Sequence, residues 1–219
     1  EEQNKNRFYE TGPIMTLKDM ALLPNLRTLC LASQQIKEVT EIANLPHLFQ
    51  LELRCNDVSD ISPLSGLKEL AMVGLNSNPV KDISPLASCK SINLLDLHGA
   101  SNYDGKALAL FGDFSFLDIS NDTDSYRYLG GKSIGELKIA KTSLEDLTLL
   151  SNVGGIRRLE LFWSPIKDLS GLEEHREITY LDITGVPAED FSVLIKLPEL
   201  KEVVVSTGAK GNIERTAEE

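Results

Sequence analysis

The sequence predicts an α/β solenoid, in which short coils stack so that one strand of each coil joins a parallel sheet. Two observations predict this fold. A pair of apolar residues with one residue between them recurs along the chain at steps of 22 residues. A segment of the Asp-Ile-Ser-Pro-Leu type recurs between these pairs at the same step. Repeats of roughly 20–50 residues are typical of solenoids, because one coil cannot bury its own apolar face.

The apolar pairs predict about nine short strands. Side chains two residues apart in a strand point to the same face, so each pair fills the core and the residue between them faces outward. Every step is 22 residues except one of 20, between Leu117 and Leu137. The pairs are Leu29/Leu31, Leu51/Leu53, Val73/Leu75, Leu95/Leu97, Leu117/Ile119, Leu137/Ile139, Leu159/Leu161, Leu181/Ile183 and Val203/Val205.

The second repeating segment predicts how each coil returns on the opposite side. An Asp or Ser caps a short 3₁₀ turn, Pro presets φ, and the Ile and Leu side chains point inward. Asn56 and Asn78 follow their strands, where a side-chain amide can bond to the backbone of the bend. The clearest return segments are Asp60–Leu64 and Asp82–Leu86, and weaker copies are Asp146–Thr148, Asp168–Ser170 and Asp190–Ser192.

These repeats resemble the leucine-rich repeat proteins, in particular the 22-residue type of bacterial internalins. One copy reads Leu48-x-x-Leu51-x-Leu53-x-x-Asn56-x-Val58-x-x-Ile61-x-x-Leu64. The resemblance implies a right-handed superhelix with a parallel concave β-sheet and a 3₁₀ or irregular convex side. It implies little about function, because this scaffold serves many partners.

The repeats divide the chain into three parts. We predict a lead-in and partial repeat over residues 1–22, the solenoid over 23–207, and a solvated tail over 208–219. Residues 99–132 lack the Pro-Leu segment and are rich in turn-forming residues. We expect the solenoid either to bend there or to extend a loop, whose tyrosines could contact a partner; an irregularity without a function is the alternative.

Composition excludes several kinds of partner. The chain has 33 acidic and 22 basic residues and a net charge of −11, which argues against nucleic acid or an anionic membrane as the main partner. The charge suits a basic protein, although solubility alone is an alternative reason for it. The cysteines at 30, 55 and 89 form neither a disulfide framework nor a zinc site, and favour the reducing cytoplasm. A secreted or cell-surface location is the alternative if a signal segment was removed.

Catalysis is not expected, because the three histidines fall in different repeats and no nucleophile–base pair or phosphate loop is present. We likewise expect no cofactor and no metal. His47 and His175 are predicted to face solvent, and His98 to face the concave surface. The oxygen-rich run over 118–124 lacks the Gly and distal Glu of an EF-hand, so calcium is not assigned.

The residues between the paired core residues predict a carboxylate stripe on the concave surface. Five of the nine are acidic and one is basic. Like charges on neighbouring strands repel, so the stripe works against stability and points to binding; a solvated polar face is the alternative. The nine are Cys30, Glu52, Gly74, Asp96, Asp118, Lys138, Glu160, Asp182 and Val204.

Apolar side chains flank this stripe and predict anchors for a partner. Met72, Leu94, Phe116 and Tyr180 precede it, and Phe162 follows it beside Trp163. An aromatic group with acidic neighbours suits a partner that presents Lys or Arg; for Trp163, packing on the next repeat is the alternative. The predicted partner-binding residues are Glu52, Asp96, His98, Asp118, Glu160, Phe162, Trp163, Tyr180 and Asp182.

Two functions fit these features. The first is a non-enzymatic module, monomeric by itself, that binds and neutralises a basic protein such as a toxin nuclease, as an immunity protein or inhibitor does. Leucine-rich repeat inhibitors of ribonucleases imply such a use of an acidic inner surface. The second is an internalin-like adhesion or interaction domain on a bacterial surface.

Overall fold

The nine predicted strands form one parallel sheet in chain order, as the computed structural model of residues 17–100, 103–122, 124–206 and 213–216 shows. The register places equivalent residues side by side, for example Leu29 beside Leu51 and Leu51 beside Val73. The predicted fold class is therefore confirmed. The strands are β1 Thr28–Cys30, β2 Gln50–Glu52, β3 Met72–Gly74, β4 Leu94–Asp96, β5 Phe114–Asp118, β6 Ile134–Lys138, β7 Arg158–Glu160, β8 Tyr180–Asp182 and β9 Glu202–Val205.

A 3₁₀ helix lies before each strand and forms the return side of the coil. Repeat n therefore consists of helix ηn and strand βn, and the described residues contain no α-helix. None of the helices in the described part of the chain is long and apolar enough to cross a membrane. The helices are η1 Lys18–Leu22, η2 Thr40–Asn44, η3 Ser62–Gly66, η4 Ser84–Ser88, η5 Gly105–Leu110, η6 Ser125–Tyr128, η7 Leu147–Leu150, η8 Ser170–Glu174 and η9 Ser192–Lys196.

Aspartate side chains begin these helices, as the sequence predicts. The Asp60 carboxylate accepts a hydrogen bond from the Ser62 N–H at 2.8 Å, and this bond lowers the pKa of Asp60. The same contact recurs at 2.7–2.8 Å in four more repeats. These pairs are Asp82/Ser84, Asp146/Thr148, Asp168/Ser170 and Asp190/Ser192. Asp146 is the N-cap residue of its helix, whereas the other Asp residues lie one position before the N-cap and close an Asx turn there.

Buried asparagines tie neighbouring repeats together at the bends. The Asn56 Oδ1 accepts hydrogen bonds from the backbone N–H groups of Gln34 and Ile36, both at 2.9 Å. The Asn56 Nδ2 donates to the carbonyls of Leu31 and Leu53, at 2.8 and 2.6 Å. Asn78 makes the equivalent bonds one repeat later. Buried backbone groups at these bends therefore have the partners they need.

Each bend also requires one residue in the left-handed region of φ, which the repeat pattern alone did not predict. These residues have φ between +54° and +68°, a conformation that costs a non-glycine residue about 1–2 kcal/mol. They follow their strands at equivalent positions, and only two of them are glycine. They are Ser33, Cys55, Ser77, Gly99, Asn121, Lys141, Trp163 and Gly185.

The described residues of 99–132 continue the strand order of the sheet and the return side, and the 20-residue step lies here between β5 and β6. Two of the three tyrosines in this region are not available for contact with a partner. Helices η5 and η6 occupy the return side, and Tyr103 and Tyr126 are buried in the core. The Tyr126 hydroxyl lies 3.1 Å from the Ser143 hydroxyl. Large aromatic rings thus fill the space that the Pro-Leu segment fills elsewhere. Residues 101, 102 and 123 lie outside the described part.

The sheet ends with a strand that the sequence did not predict. Strand β10, Ile213–Thr216, pairs antiparallel with β9 and places Glu214 beside Val204. Four residues of the segment predicted as a solvated tail therefore have regular structure. The remaining residues of 208–219, and residues 1–16 of the predicted lead-in, lie outside the described part.

Candidate protein-binding face

In each three-residue segment centred on the first residue of an apolar pair, such as Gln50–Glu52 around Leu51 or Phe116–Asp118 around Leu117, the first and third residues point away from the core. Together they form one surface, called here the sheet face. The parallel register aligns the third residues in a single column, in which Asp96 lies beside Asp118 and Glu160 beside Asp182. The predicted stripe therefore lies on one face. Neighbouring strands in a sheet are about 4.8 Å apart, so charges in adjacent repeats interact directly.

The carboxylates of repeats 2, 4 and 5 form an acidic half of the sheet face that its own cations do not neutralise. These are Glu52, Asp96 and Asp118. Among the described residues, no Lys or Arg forms a salt bridge with them. The His98 Nδ1 lies 3.9 Å from the Asp118 Oδ2, and Lys138, beside Asp118 in the sheet, forms its salt bridges with Glu136 and Glu160 instead. Gly74 leaves a gap in the column, and a Cβ there would lie 2.6 Å from the Glu52 carboxylate oxygens. The Glu52 carboxylate therefore lies across this gap.

Asp96 is the most perturbed carboxylate of the acidic half. Burial disfavours its charged form and raises the pKa of Asp96 to about 6, and the nearby charges of Asp118 and Glu52 add to this rise. A hydrogen bond from the His98 N–H, at 2.9 Å, opposes the rise by stabilising the ionised form. A cation beside Asp96 would relieve both the desolvation and the repulsion.

Apolar side chains complete a shallow depression beside these carboxylates. Its volume is about 190 Å³, and Met72, Leu94 and Phe116 line it together with Glu52 and Asp96. The apolar residues come from the first column of the sheet face and the carboxylates from the third. An Arg or Lys side chain has an apolar stem and a cationic head, so this arrangement matches both of its parts.

In the other half of the sheet face, Glu136 and Glu160 have cationic partners within the chain, whereas Asp182 forms no salt bridge among the described residues. Lys138 lies 3.0 Å from the Glu160 carboxylate and 3.6 Å from that of Glu136. Arg158 lies 3.7 Å from the Glu136 carboxylate and stacks over the Tyr180 ring at 3.7 Å. The sequence-based prediction took only apolar residues from the first column and missed its charged members Glu136 and Arg158. The sequence contained the information needed to find them, because residues two apart in a strand share a face.

Solved structures with a similar fold include three bacterial proteins. Internalin C2 of Listeria monocytogenes is 26% identical over 82% of this chain and 80% of its own, with a TM-score of 0.71. An internalin (inlF) of the same organism is 24% identical over 87% of this chain and 57% of its own, with a TM-score of 0.71. A leucine-rich repeat protein of Leptospira interrogans is 19% identical over 86% and 57% of the two chains, with a TM-score of 0.65.

The chain is a leucine-rich repeat protein. It spans somewhat over half the length of the second and third of these structures. No protein-family model and no curated protein sequence matches it. Its likeness to the internalins supports the role of a protein-interaction module.

The aromatic pair of this leucine-rich repeat protein does not stay together on the sheet face. Phe162 continues the strand alternation and is half-buried, but Trp163 occupies the bend with φ of +59° and is 52% exposed. Its ring packs against Gly185 of the next repeat, where a Cβ would lie 2.6 Å from a ring atom. The alternative prediction for Trp163, packing on the next repeat, was correct. Tyr180 does lie on the sheet face, under the Arg158 guanidinium.

The remaining predicted residues lie where the repeat places them. Asp182 is in the third column, and its carboxylate accepts a hydrogen bond from the Thr184 N–H at 2.9 Å. His98 lies at the margin of the acidic half, with its Nε2 3.1 Å from the Asn121 amide. Their role in binding stays a prediction.

The other two histidines differ from each other. His47 is exposed, as predicted, and its Nδ1 lies 2.8 Å from the Glu69 carboxylate. The prediction that His175 faces solvent was wrong, because its side chain is buried in the core. Within the described ranges, no three His, Cys, Asp or Glu side chains are grouped so as to hold a metal ion.

Proposed function

We propose that this leucine-rich repeat protein binds a basic protein through the acidic half of its sheet face and masks a cationic site on that partner. The observation that carries the proposal is the contrast between the two halves. Glu136 and Glu160 have cationic partners within the chain, whereas Glu52 and Asp96 have none among the described residues. These two carboxylates are half-buried beside an apolar depression and have no cation to neutralise them. A cationic group of another protein would supply that missing partner.

In this proposal, one Lys or Arg side chain of the partner occupies the depression and makes the central contact of the interface. The carboxylates of Glu52 and Asp96 would bind its cationic head, while Met72 and Phe116 would contact its stem. The cation would favour ionised Asp96, so binding near pH 6 would release a proton. Charge complementarity would mainly speed encounter, and the apolar contacts would slow dissociation.

The partner class that fits this surface best is a toxin nuclease, which this protein would neutralise as an immunity protein. Enzymes that bind nucleic acid need Lys and Arg for the phosphates, and an acidic surface can cover them. Such an inhibitor would act in the cytoplasm, and the free thiols of Cys30, Cys55 and Cys89 support a reducing location.

Binding of small basic nucleases by fluorescence anisotropy, at about 50 and 300 mM NaCl, tests the proposal. The test variant combines Glu52→Gln, Asp96→Asn and Asp118→Asn. The matched control combines Glu38→Gln, Glu145→Gln and Glu199→Gln, which remove the same charge from exposed positions off the sheet face. We expect affinity to fall with salt and at least tenfold in the test variant, with little change in the control. If the affinity falls equally in both variants, the net charge of the protein, and not the acidic half of the sheet face, determines binding, which would contradict the proposal.

A surface-interaction module is the second candidate, and the likeness to internalin C2 over 80% of that chain supports it. Fractionation of the source cells with an antibody to this protein separates the two candidates. Recovery from the cell wall, with binding to intact cells rather than to nucleases, would favour surface interaction. Recovery from the cytoplasm would favour the inhibitor.

A further inference from the structure

His175 occupies a position that repeats 2, 3, 4 and 9 give to apolar or weakly polar side chains. Its N–H donates to the Leu172 carbonyl at 2.9 Å, where it ends helix η8. In helices η2, η3, η4 and η9 the equivalent bond is donated by Leu45, Leu67, Cys89 and Leu197, respectively, and all four residues are buried. The His175 residue is 5% exposed, and its Nε2 is buried with no hydrogen-bond partner among the described residues.

The surroundings of His175 do not offer a buried anion that would stabilise its charged form. Burial lowers the pKa of His175, and the nearby charge of Glu174 opposes this only in part. The charged side chains on the helices and turns packed against it, from repeats 7 to 9, are all exposed to solvent. They are Glu145, Asp146, Arg157, Lys167, Asp168, Glu173, Glu174, Arg176, Glu177, Glu189, Asp190, Lys196, Glu199 and Lys201.

We propose that His175 is an acid-sensitive latch: uptake of a proton by its buried imidazole opens repeats 8 and 9 while the earlier repeats stay folded. Opening would expose the imidazolium to water and so relieve the cost of a buried charge. Repeats in a solenoid contact only their neighbours, so an unfavourable charge near one end opens that end first. The opened part would include Tyr180 and Asp182 of the sheet face.

The direction of the pH effect follows from the lowered pKa. The unfolded chain takes up a proton near pH 6.5, and the folded chain does so only at lower pH. The stabilisation of repeats 8 and 9 is therefore complete above about pH 6.5 and is lost as the pH falls toward the folded pKa. This inference concerns the fold alone and holds whether or not the partner is basic.

Amide hydrogen exchange of the whole chain at pH 7.5 and 5.2 tests the latch. Protection factors, corrected for intrinsic exchange, should fall about threefold or more at pH 5.2 for amides of repeats 8 and 9. Amides of repeats 2 and 3 should not show this fall. His175→Leu should abolish the fall, since Leu occupies the equivalent position in three other repeats. His47→Gln, at an exposed histidine, is the matched control and should keep it.

An equal fall in His175→Leu, or a fall spread evenly over all repeats, would overturn the inference. An NMR titration of the His175 ring in the unmodified protein gives an independent measurement if the variant does not fold. It should titrate below 6.5, and titration at or above that value would also overturn the latch. If the pKa of His175 is lowered but repeats 8 and 9 do not lose protection at pH 5.2, the proposed latch would also be overturned.

Discussion

Asp96→Asn should stabilise the protein while it weakens partner binding. The variant removes the charge of a carboxylate whose pKa burial and neighbouring acids raise to about 6. An Asn at this position keeps a side-chain oxygen that can accept the hydrogen bond from the His98 N–H, now at 2.9 Å. The substitution therefore tests the charge of Asp96 separately from its hydrogen bond.

The size of the gain follows from the rise in pKa above the value of 3.8 for an unperturbed Asp. A rise of roughly two units corresponds to about 3 kcal/mol between the two protonation states. Asp96 is partly exposed, so solvent screening reduces the expected gain to about 1–2 kcal/mol. Because the folded pKa is raised, ionised Asp96 destabilises the fold above about pH 6, and this cost disappears as the pH falls toward 3.8.

Urea unfolding of the wild type and of Asp96→Asn at pH 8.0 and 5.0 measures this gain. The variant should be the more stable protein at pH 8.0, and the difference should shrink at pH 5.0. Glu145→Gln removes an exposed carboxylate on the return side and should change stability by less than about 0.5 kcal/mol at both pH values. A less stable Asp96→Asn protein, or a gain that does not depend on pH, would refute the electrostatic reasoning.

Three further substitutions test the packing described above. Asn78→Ala should cost about 2–3 kcal/mol in urea unfolding, because buried backbone groups of two repeats lose their partner; a cost under 1 kcal/mol would contradict this role. Gly185→Ala places a Cβ 2.6 Å from the Trp163 ring at φ of +68°, so it should cost about 1–2 kcal/mol and shift the tryptophan fluorescence to the red. Gly112→Ala, where a Cβ meets open space, is its control. Lys138→Gln should cost about 1 kcal/mol, because Glu136 and Glu160 lose their shared cation; unchanged stability in high and low salt would contradict this.

The sequence predicted the strands, the return helices and the asparagine bends because each depends on residues close together in one repeat. Asn56, for example, stands at a fixed distance from the Leu51/Leu53 pair, and its bonds run to backbone groups that any sequence supplies. The column of outward residues was predictable for the same reason, since alternation along a strand determines the face.

Features that depend on contacts between repeats were harder to predict. The left-handed bend residues include Cys55, Lys141 and Trp163, which share no property that marks this conformation. The pairing of Lys138 with Glu136 and Glu160 depends on the register of three side chains in two strands. His175 falls before its strand, on the outer turn, which predicts exposure to solvent, and only its alignment with Leu45 and Leu67 shows that the position belongs to the core.

The carboxylates of the third column also have a local structural role, which must be separated from binding. Side-chain oxygens of Glu52, Asp96 and Asp118 accept hydrogen bonds from the N–H two residues later, at 2.8–2.9 Å. An amide oxygen of Asn or Gln could accept the same bond without a charge, yet none of the nine column positions holds an amide. At Asp96 the charge acts against stability at neutral pH. The hydrogen bond therefore explains an acceptor at this position but not its charge, and the proposed binding of a basic partner would account for that charge.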